Sequence, residues 1–147
     1  MKNKELRIYC SGVFDICHLG HMKSFEKIYN YCKENFNKNF KIIVGIHSDF
    51  SCELYKRKPI INEKIRYETI KYCKYVDEII ENAPLETTVE FINTNNIDYV
   101  SIGEEYKDKM EKNIFFHKGA IELNKYFYVS RYELISTTEI IKLCKEY

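Results

Sequence analysis

The chain has 147 residues, with 23 Lys+Arg against 22 Asp+Glu and a formal net charge of +1. That length predicts one domain over residues 1–147, and the balanced charge excludes a dominant nucleic-acid-binding surface. No apolar run approaches the ~20 residues of a membrane span, so stable membrane insertion is not expected. Met1 to Arg7 is charged and lacks the apolar region of a signal peptide.

In chain order, Leu6 to Ser11 reads as a first strand and Leu19 to Phe36 as a helix, with Met22, Phe25, Ile28, Tyr29 and Cys32 at helical spacing. Phe40 to Ile46 is a continuous apolar strand. Residues 47–61 form a polar, basic loop with Lys56, Arg57, Lys58 and Pro59, and Asn62 is placed to cap a helix through Cys73. Val76 to Ile80 reads as a third strand. Thr87 to Glu90 fits a capping box opening a helix to about Thr94. Ile97 to Ile102 is a fourth strand, ended by Gly103, and Glu104 to Leu123 is the least legible stretch. Tyr126 to Ser130 is a fifth strand and Ser136 to Tyr147 a last helix.

Strands alternating with helices predict an α/β fold: a Rossmann-like, doubly wound parallel sheet of about five strands. Ligands of such sheets bind beyond the carboxyl ends of the strands. That directs attention to residues 12–21, 47–58, 103–106 and 131–138. The six cysteines form no CxxC pair and several sit inside apolar patterns, which predicts reduced thiols and a cytoplasmic protein.

The first strand runs into Gly12, Val13, Phe14 and Asp15. Two histidines follow, His18 and His21, three apart around Gly20 where a helix starts. Backbone N–H groups at a helix start attract anions, and histidines there can donate hydrogen bonds to phosphate oxygens. Two other readings stay open on these residues alone: a histidine that only caps the helix, and a zinc ligand pair, for which no Cys partner pair is present. There is no G-x-G-x-x-G after the strand and no G-x-x-x-x-G-K-[ST] anywhere, which argues against a dinucleotide fold and excludes a P-loop.

Gly12-Val13-Phe14-Asp15 followed by His18-Leu19-Gly20-His21 resembles the signature of the cytidylyltransferases, the H-x-G-H nucleotidyltransferases that include the choline-phosphate, ethanolamine-phosphate and glycerol-3-phosphate enzymes. The likeness continues in order along the chain. It includes Val44-Gly45-Ile46-His47-Ser48-Asp49, Asn62-Glu63-Lys64-Ile65-Arg66-Tyr67, Tyr75-Val76-Asp77-Glu78, Asn82-Ala83-Pro84, and Arg131 to Thr138 against R-T-E-G-I-S-T-T.

The resemblance implies transfer of CMP from CTP to a small phosphoalcohol, with Mg²⁺ accompanying CTP. His18 and His21 would stabilise the α-phosphate, and Lys56 would lie between the nucleotide and acceptor phosphates. Arg131 would hold phosphate, while Ser136, Thr137 and Thr138 would bind it at the last helix. Gly12, Val13 and Phe14 would contribute backbone contacts, and Arg66 is a further CTP candidate. Ser136 with Glu139 also reads as a capping box. A homodimer is implied, with the first helix and the Y-V-D-E segment near the contact.

Four departures bear on the site. Leu134 stands where the family has glycine, and a leucine at φ > 0 would be strained. Tyr132 replaces threonine. Leu85 replaces the Trp of choline-type enzymes and cannot supply an aromatic face to a quaternary ammonium. Gly103-Glu104-Glu105-Tyr106 replaces His-Asp-Asp, although Glu104, Glu105 and Tyr106 can hold a cationic head group. The expected acceptor is phosphocholine, followed by phosphoethanolamine and then glycerol 3-phosphate. A nucleotide-binding module without activity is the other class kept open.

Overall fold

A computed structural model describes residues 4–147. Its strands are β1 (Leu6–Gly12), β2 (Phe40–Ile46), β3 (Glu78–Glu81), β4 (Tyr99–Gly103) and β5 (Tyr126–Val129). They form one sheet in the order β3-β2-β1-β4-β5, with every neighbouring pair parallel. The chain winds outward from β1 to β3, crosses back over β1, and winds outward again through β4 to β5. The crevice between β1 and β4 is therefore the switch point at which such sheets take ligands.

Both faces of the sheet are covered, which is why its central strands read as unbroken apolar runs. Ile8, Cys10, Ile42, Val44 and Ile46 pack with Phe25 and Ile28 of α1 (Leu19–Asn35) and Tyr67 and Ile70 of α3 (Glu63–Lys71). The alternating residues Tyr9 and Ile43, with Val100 and Ile102, pack with Ile92 of α4 (Val89–Thr94) and Ala120 of α5 (Met110–Glu122). The expected doubly wound α/β architecture is thus the one observed.

Several boundaries shift for identifiable reasons. The third strand begins at Glu78 rather than Val76, because Asp77 turns its carboxylate and amide onto Ile42 of β2. The cap of α4 is Thr88, whose side chain accepts from the Phe91 amide, and not Thr87. Thr87 is buried and exchanges backbone hydrogen bonds with Phe116 and Gly119 of α5. Asn62 caps α3 as expected, accepting from the Ile65 amide at 3.1 Å. The basic loop contains a short helix, α2 (Asp49–Glu53), capped by Ser48.

The illegible stretch resolves into a 3₁₀ turn, Glu104–Asp108, followed by α5. Helix α5 is kinked at His117 (φ −121°, ψ 24°), so its apolar residues keep no single helical period. Just past the kink, Gly119 lies against the backbone of Thr88 and Val89, where any Cβ would collide. The last helix, α6 (Thr137–Glu146), is capped by Ser136 and buries none of its residues.

Candidate active site

The loop from β1 to α1 carries backbone strain at two positions. Phe14 and Ile16 both have positive φ, 54° and 48°, a region costly for a β-branched residue such as Ile16. Asp15, between them, locks the conformation. Its buried carboxylate accepts from the Ile60 amide (2.8 Å), the Ile61 amide (2.9 Å) and Arg57 Nη1 (3.3 Å). Burial alone would raise the pKa of Asp15, but these hydrogen bonds outweigh it and hold the carboxyl below its ordinary range. The loop that carries Lys56 and the loop that carries the histidines are in this way fastened together.

His18 is the N-cap of α1. Its Nδ1 accepts from the Gly20 amide at 3.0 Å, and His21 Nδ1 accepts from the His18 amide at 3.3 Å, a reciprocal capping box made of two histidines. The rings stack with centroids 3.9 Å apart. Because each Nδ1 is an acceptor, each neutral ring carries its proton on Nε2. His18 Nε2–H donates to Thr137 Oγ1 at 3.2 Å, and that hydroxyl in turn donates to the Asp15 carbonyl at 3.2 Å. Burial lowers both imidazoles. His21 is pulled down to about 4 by burial first, with His18 and Lys56 adding to the effect and Asp15 opposing it. At neutral pH the pair is a set of uncharged N–H donors. Capping and phosphate binding, alternatives in the sequence, are compatible here, because capping uses Nδ1 and leaves the Nε2–H side of each ring out of the cap.

Gly20 between the histidines has a steric reason. A Cβ there would stand 2.7 Å from His18 Cε1 and 3.1 Å from the Ile135 carbonyl, prising the 131–136 segment off the start of α1.

A cavity of about 410 Å³ opens over these residues, and all four strand-end segments line it. Of the residues expected at the site, it is lined by Gly12, Val13, Phe14, His18, His21, Lys56, Arg131, Ser136, Thr137 and Thr138, and by Glu105 and Tyr106 at its far side. The N-termini of α1 and α6 both end at this cavity. Among the described residues, Lys56 and Arg131 make no ion pair, so their charges face it unneutralised. Leu134 is exposed and has no positive φ, so this backbone does not require glycine there.

Two expected residues lie elsewhere. Arg66 is fully buried behind the loop. It donates to the Ile61 carbonyl (2.9 Å), the Val13 carbonyl (2.7 Å) and Asp49 Oδ1 (2.8 Å), and is a brace for the loop rather than part of the cavity lining. Glu104 sits at the surface, paired with Lys107 at 3.1 Å, because the 3₁₀ turn directs Glu105 inward instead.

A second cavity of about 250 Å³ adjoins the first and shares residues including Gly12, Phe14, Tyr55, Glu105, Tyr106 and Arg131 with it. Its further lining includes His47, Leu85, Ser101, Phe116 and His117. Sequence reasoning assigned no role to Tyr55, Phe116 or His117. Tyr55 stands next to the basic run Lys56-Arg57-Lys58, a readable signal, whereas the other two fall in the illegible stretch.

A parallel sheet whose switch-point loops place neutral imidazole donors, two helix N-termini and free cations around one cavity defines a nucleotide-phosphate-binding α/β domain. The cytidylyltransferase-like profile matches residues 9–143, and the chain belongs to that family. A choline-phosphate cytidylyltransferase of Saccharomyces cerevisiae is 37% identical over 147 residues, which cover 99% of this chain and 33% of that protein. Choline-phosphate cytidylyltransferase 2 of Arabidopsis thaliana is 32% identical, covering 99% and 47%. An ethanolamine-phosphate cytidylyltransferase of Dictyostelium discoideum is 31% identical, covering 94% and 36%. The chain thus spans a third to just under half the length of these relatives. Among solved structures, a lipopolysaccharide core biosynthesis protein of Thermoplasma volcanium has the same fold, with a TM-score of 0.61, 22% identity, and coverage of 88% of this chain and 100% of that one. No helix among the described residues is long and apolar enough to cross a membrane.

Proposed function

We propose that this chain transfers CMP from CTP to phosphocholine, giving CDP-choline and pyrophosphate. One observation carries the reading: the Nε2–H side of the histidine pair, unpaired Lys56 and Arg131, and the N-terminus of α6 converge on one cavity that continues into an aromatic, carboxylate-bearing pocket. The names of the most similar relatives support the same acceptor.

In this reading a phosphocholine oxygen attacks the α-phosphate in line and pyrophosphate leaves, with no covalent enzyme intermediate. His18 and His21 donate through Nε2–H to α-phosphate oxygens as charge shifts in the transition state, without having to lose a proton themselves. Lys56 offsets repulsion between the two phosphate-bearing substrates. Arg131 holds phosphate by paired N–H donors, and Ser136, Thr137 and Thr138 offer the α6 N-terminus to the triphosphate.

Of the two carboxylates lining the first cavity, Asp15 is saturated by Ile60, Ile61 and Arg57, and Glu105 also lines the second cavity. Among the described residues no group of three or more His, Cys, Asp or Glu side chains is placed to hold a metal, so Mg²⁺ would enter as a companion of the triphosphate, held mainly by phosphate oxygens and water, and would offset its charge.

The head group of phosphocholine suits the second cavity. Leu85 brings no ring, but Tyr55, Tyr106 and Phe116 do, and the rings of Tyr55 and Tyr106 lie 5.6 and 6.2 Å from that of Phe116. Aromatic faces beside the Glu105 carboxylate attract a quaternary ammonium. Glycerol 3-phosphate, which has no positive charge on its alcohol portion, would leave that carboxylate uncompensated. The reading also includes a cytoplasmic, reducing setting, which suits six free cysteines, and a homodimer, which suits the exposed Leu19 at the start of α1.

Pyrophosphate release, measured with CTP or ATP and each of phosphocholine, phosphoethanolamine and glycerol 3-phosphate, tests the assignment. CTP with phosphocholine is expected to turn over. CTP binding without turnover of any acceptor would leave only the binding module, and turnover with ATP alone would make the chain an adenylyltransferase.

A further inference from the structure

The second cavity contains acceptor atoms for which a trimethylammonium has no use. His47, at the exit of β2, donates from Nδ1 to the Ala83 carbonyl at 3.0 Å, so its Nε2 is left as a bare lone pair. His117 is fixed the same way through a longer relay. The Asn113 side-chain nitrogen donates to the Tyr128 hydroxyl at 2.9 Å, which turns Asn113 Oδ1 toward His117 to accept from Nδ1 at 3.0 Å. Asn113 is 1% exposed, so this orientation is enforced by burial. The kink in α5 occurs at His117 itself. Neither Nε2 has a hydrogen-bond partner among the described residues, and both side chains line the cavity. Burial pulls His117 down to about 4, which keeps Nε2 unprotonated at neutral pH.

Two further atoms point the same way. Ser101 Oγ is buried without a partner, and so is Glu105 Oε2; both residues line the same cavity. Unpartnered buried polar atoms are costly unless a ligand completes them. A quaternary ammonium offers no N–H to any of these acceptors.

We propose that His117 and His47 are specificity-determining residues that read hydrogen-bond donors on the acceptor's head group, so that the site also uses a phosphoalcohol bearing a primary ammonium. This rests on the cytidylyltransferase reading above and extends it: the rings and Glu105 accept a cation of either kind, and the two Nε2 lone pairs favour one with N–H groups.

The test uses phosphoethanolamine, its N-methyl and N,N-dimethyl derivatives, and phosphocholine, a series that removes donors one at a time while the charge is kept. Wild-type kcat/KM for phosphoethanolamine is expected within about tenfold of that for phosphocholine. In His117→Phe the ratio of the two kcat/KM values should fall by about tenfold or more, the scale of one hydrogen bond to a charged group, and the loss should grow with the number of N–H groups. His117→Gln, which restores an acceptor oxygen, should recover part of the ratio. Ser101→Ala, a smaller change, should shift it in the same direction.

A structural role for His117 would lower turnover of all four acceptors alike and leave the ratio unmoved, which overturns the proposal. So does wild-type turnover of phosphoethanolamine below about a hundredth of that of phosphocholine. If no acceptor turns over, calorimetric titration of the same series into the CTP-loaded protein decides. Tighter binding of the donor-bearing members, lost in His117→Phe, supports the head-group assignment even as the transfer reading fails; equal binding overturns it.

Discussion

His18 shows how one side chain can serve the fold through one atom and the proposed chemistry through another. Its Nδ1 caps α1 and its Nε2–H faces the cavity and α6. The two roles can be separated, because asparagine is a good N-cap but places no donor where Nε2 lies. His18→Asn is expected to unfold within a few degrees of wild type while kcat drops by about a hundredfold or more, the scale of a lost transition-state donor. His18→Ala should show the same kinetic loss and cost about 1 kcal/mol of stability besides. Thermal denaturation paired with steady-state kinetics checks both; near-normal turnover in the Asn variant would reduce His18 to a cap.

The same imidazoles set an acid dependence. In the unfolded chain a histidine takes up its proton near 6.5, whereas His21 and His117 resist it until about 4 when folded. Between those values the unfolded state binds more protons, so stability is full above about 6.5 and is lost as pH falls toward 4. Asp15, whose carboxyl is depressed in the fold, adds a further loss only at still lower pH. The melting temperature should therefore decline from pH 7 to pH 5, and a protein that melts higher at pH 5 contradicts the buried, neutral assignment. At this scale the histidine motif was legible because type and spacing carry the chemistry. Arg66 was not, since nothing in its neighbours distinguishes a buried brace from a phosphate ligand.

Among the elements, α1 and α6 were legible because caps and apolar spacing both survive in the sequence. α5 was not. Its kink at His117 breaks the helical period, and part of its packing, at Gly119, is against the backbone of Thr88 and Val89 rather than an apolar stripe. Gly119 marks that contact. Gly119→Ala is expected to destabilise the protein by about 1–3 kcal/mol, because the clash is with main chain that cannot turn away. Chemical denaturation measures it, and an unchanged midpoint would mean that α4 and α5 are not in such close contact. The strained β1–α1 loop is likewise held by elements distant in sequence, Ile60 and Ile61 before α3 and Arg66 within it. Positive φ at Ile16 follows from that bracing, not from local preference.

For the whole molecule, the β3-β2-β1-β4-β5 order brings segments 119 residues apart, His18 and Thr137, into hydrogen-bond contact. The alternating strands and helices predicted this architecture, and the rule that ligands sit beyond the strand ends pointed to the four segments that line the cavity. The proposed assignment of the two adjoining cavities to phosphate and head group was not legible, because it depends on which of Glu104 and Glu105 the 3₁₀ turn sends inward. Cytidylyl transfer itself can be followed by ³¹P NMR of the protein with CTP, Mg²⁺ and phosphocholine. The CTP and phosphocholine resonances are expected to decay together while pyrophosphate and the diphosphate of CDP-choline grow in equal amounts. Unchanged spectra, or inorganic phosphate growing without CDP-choline, would contradict it.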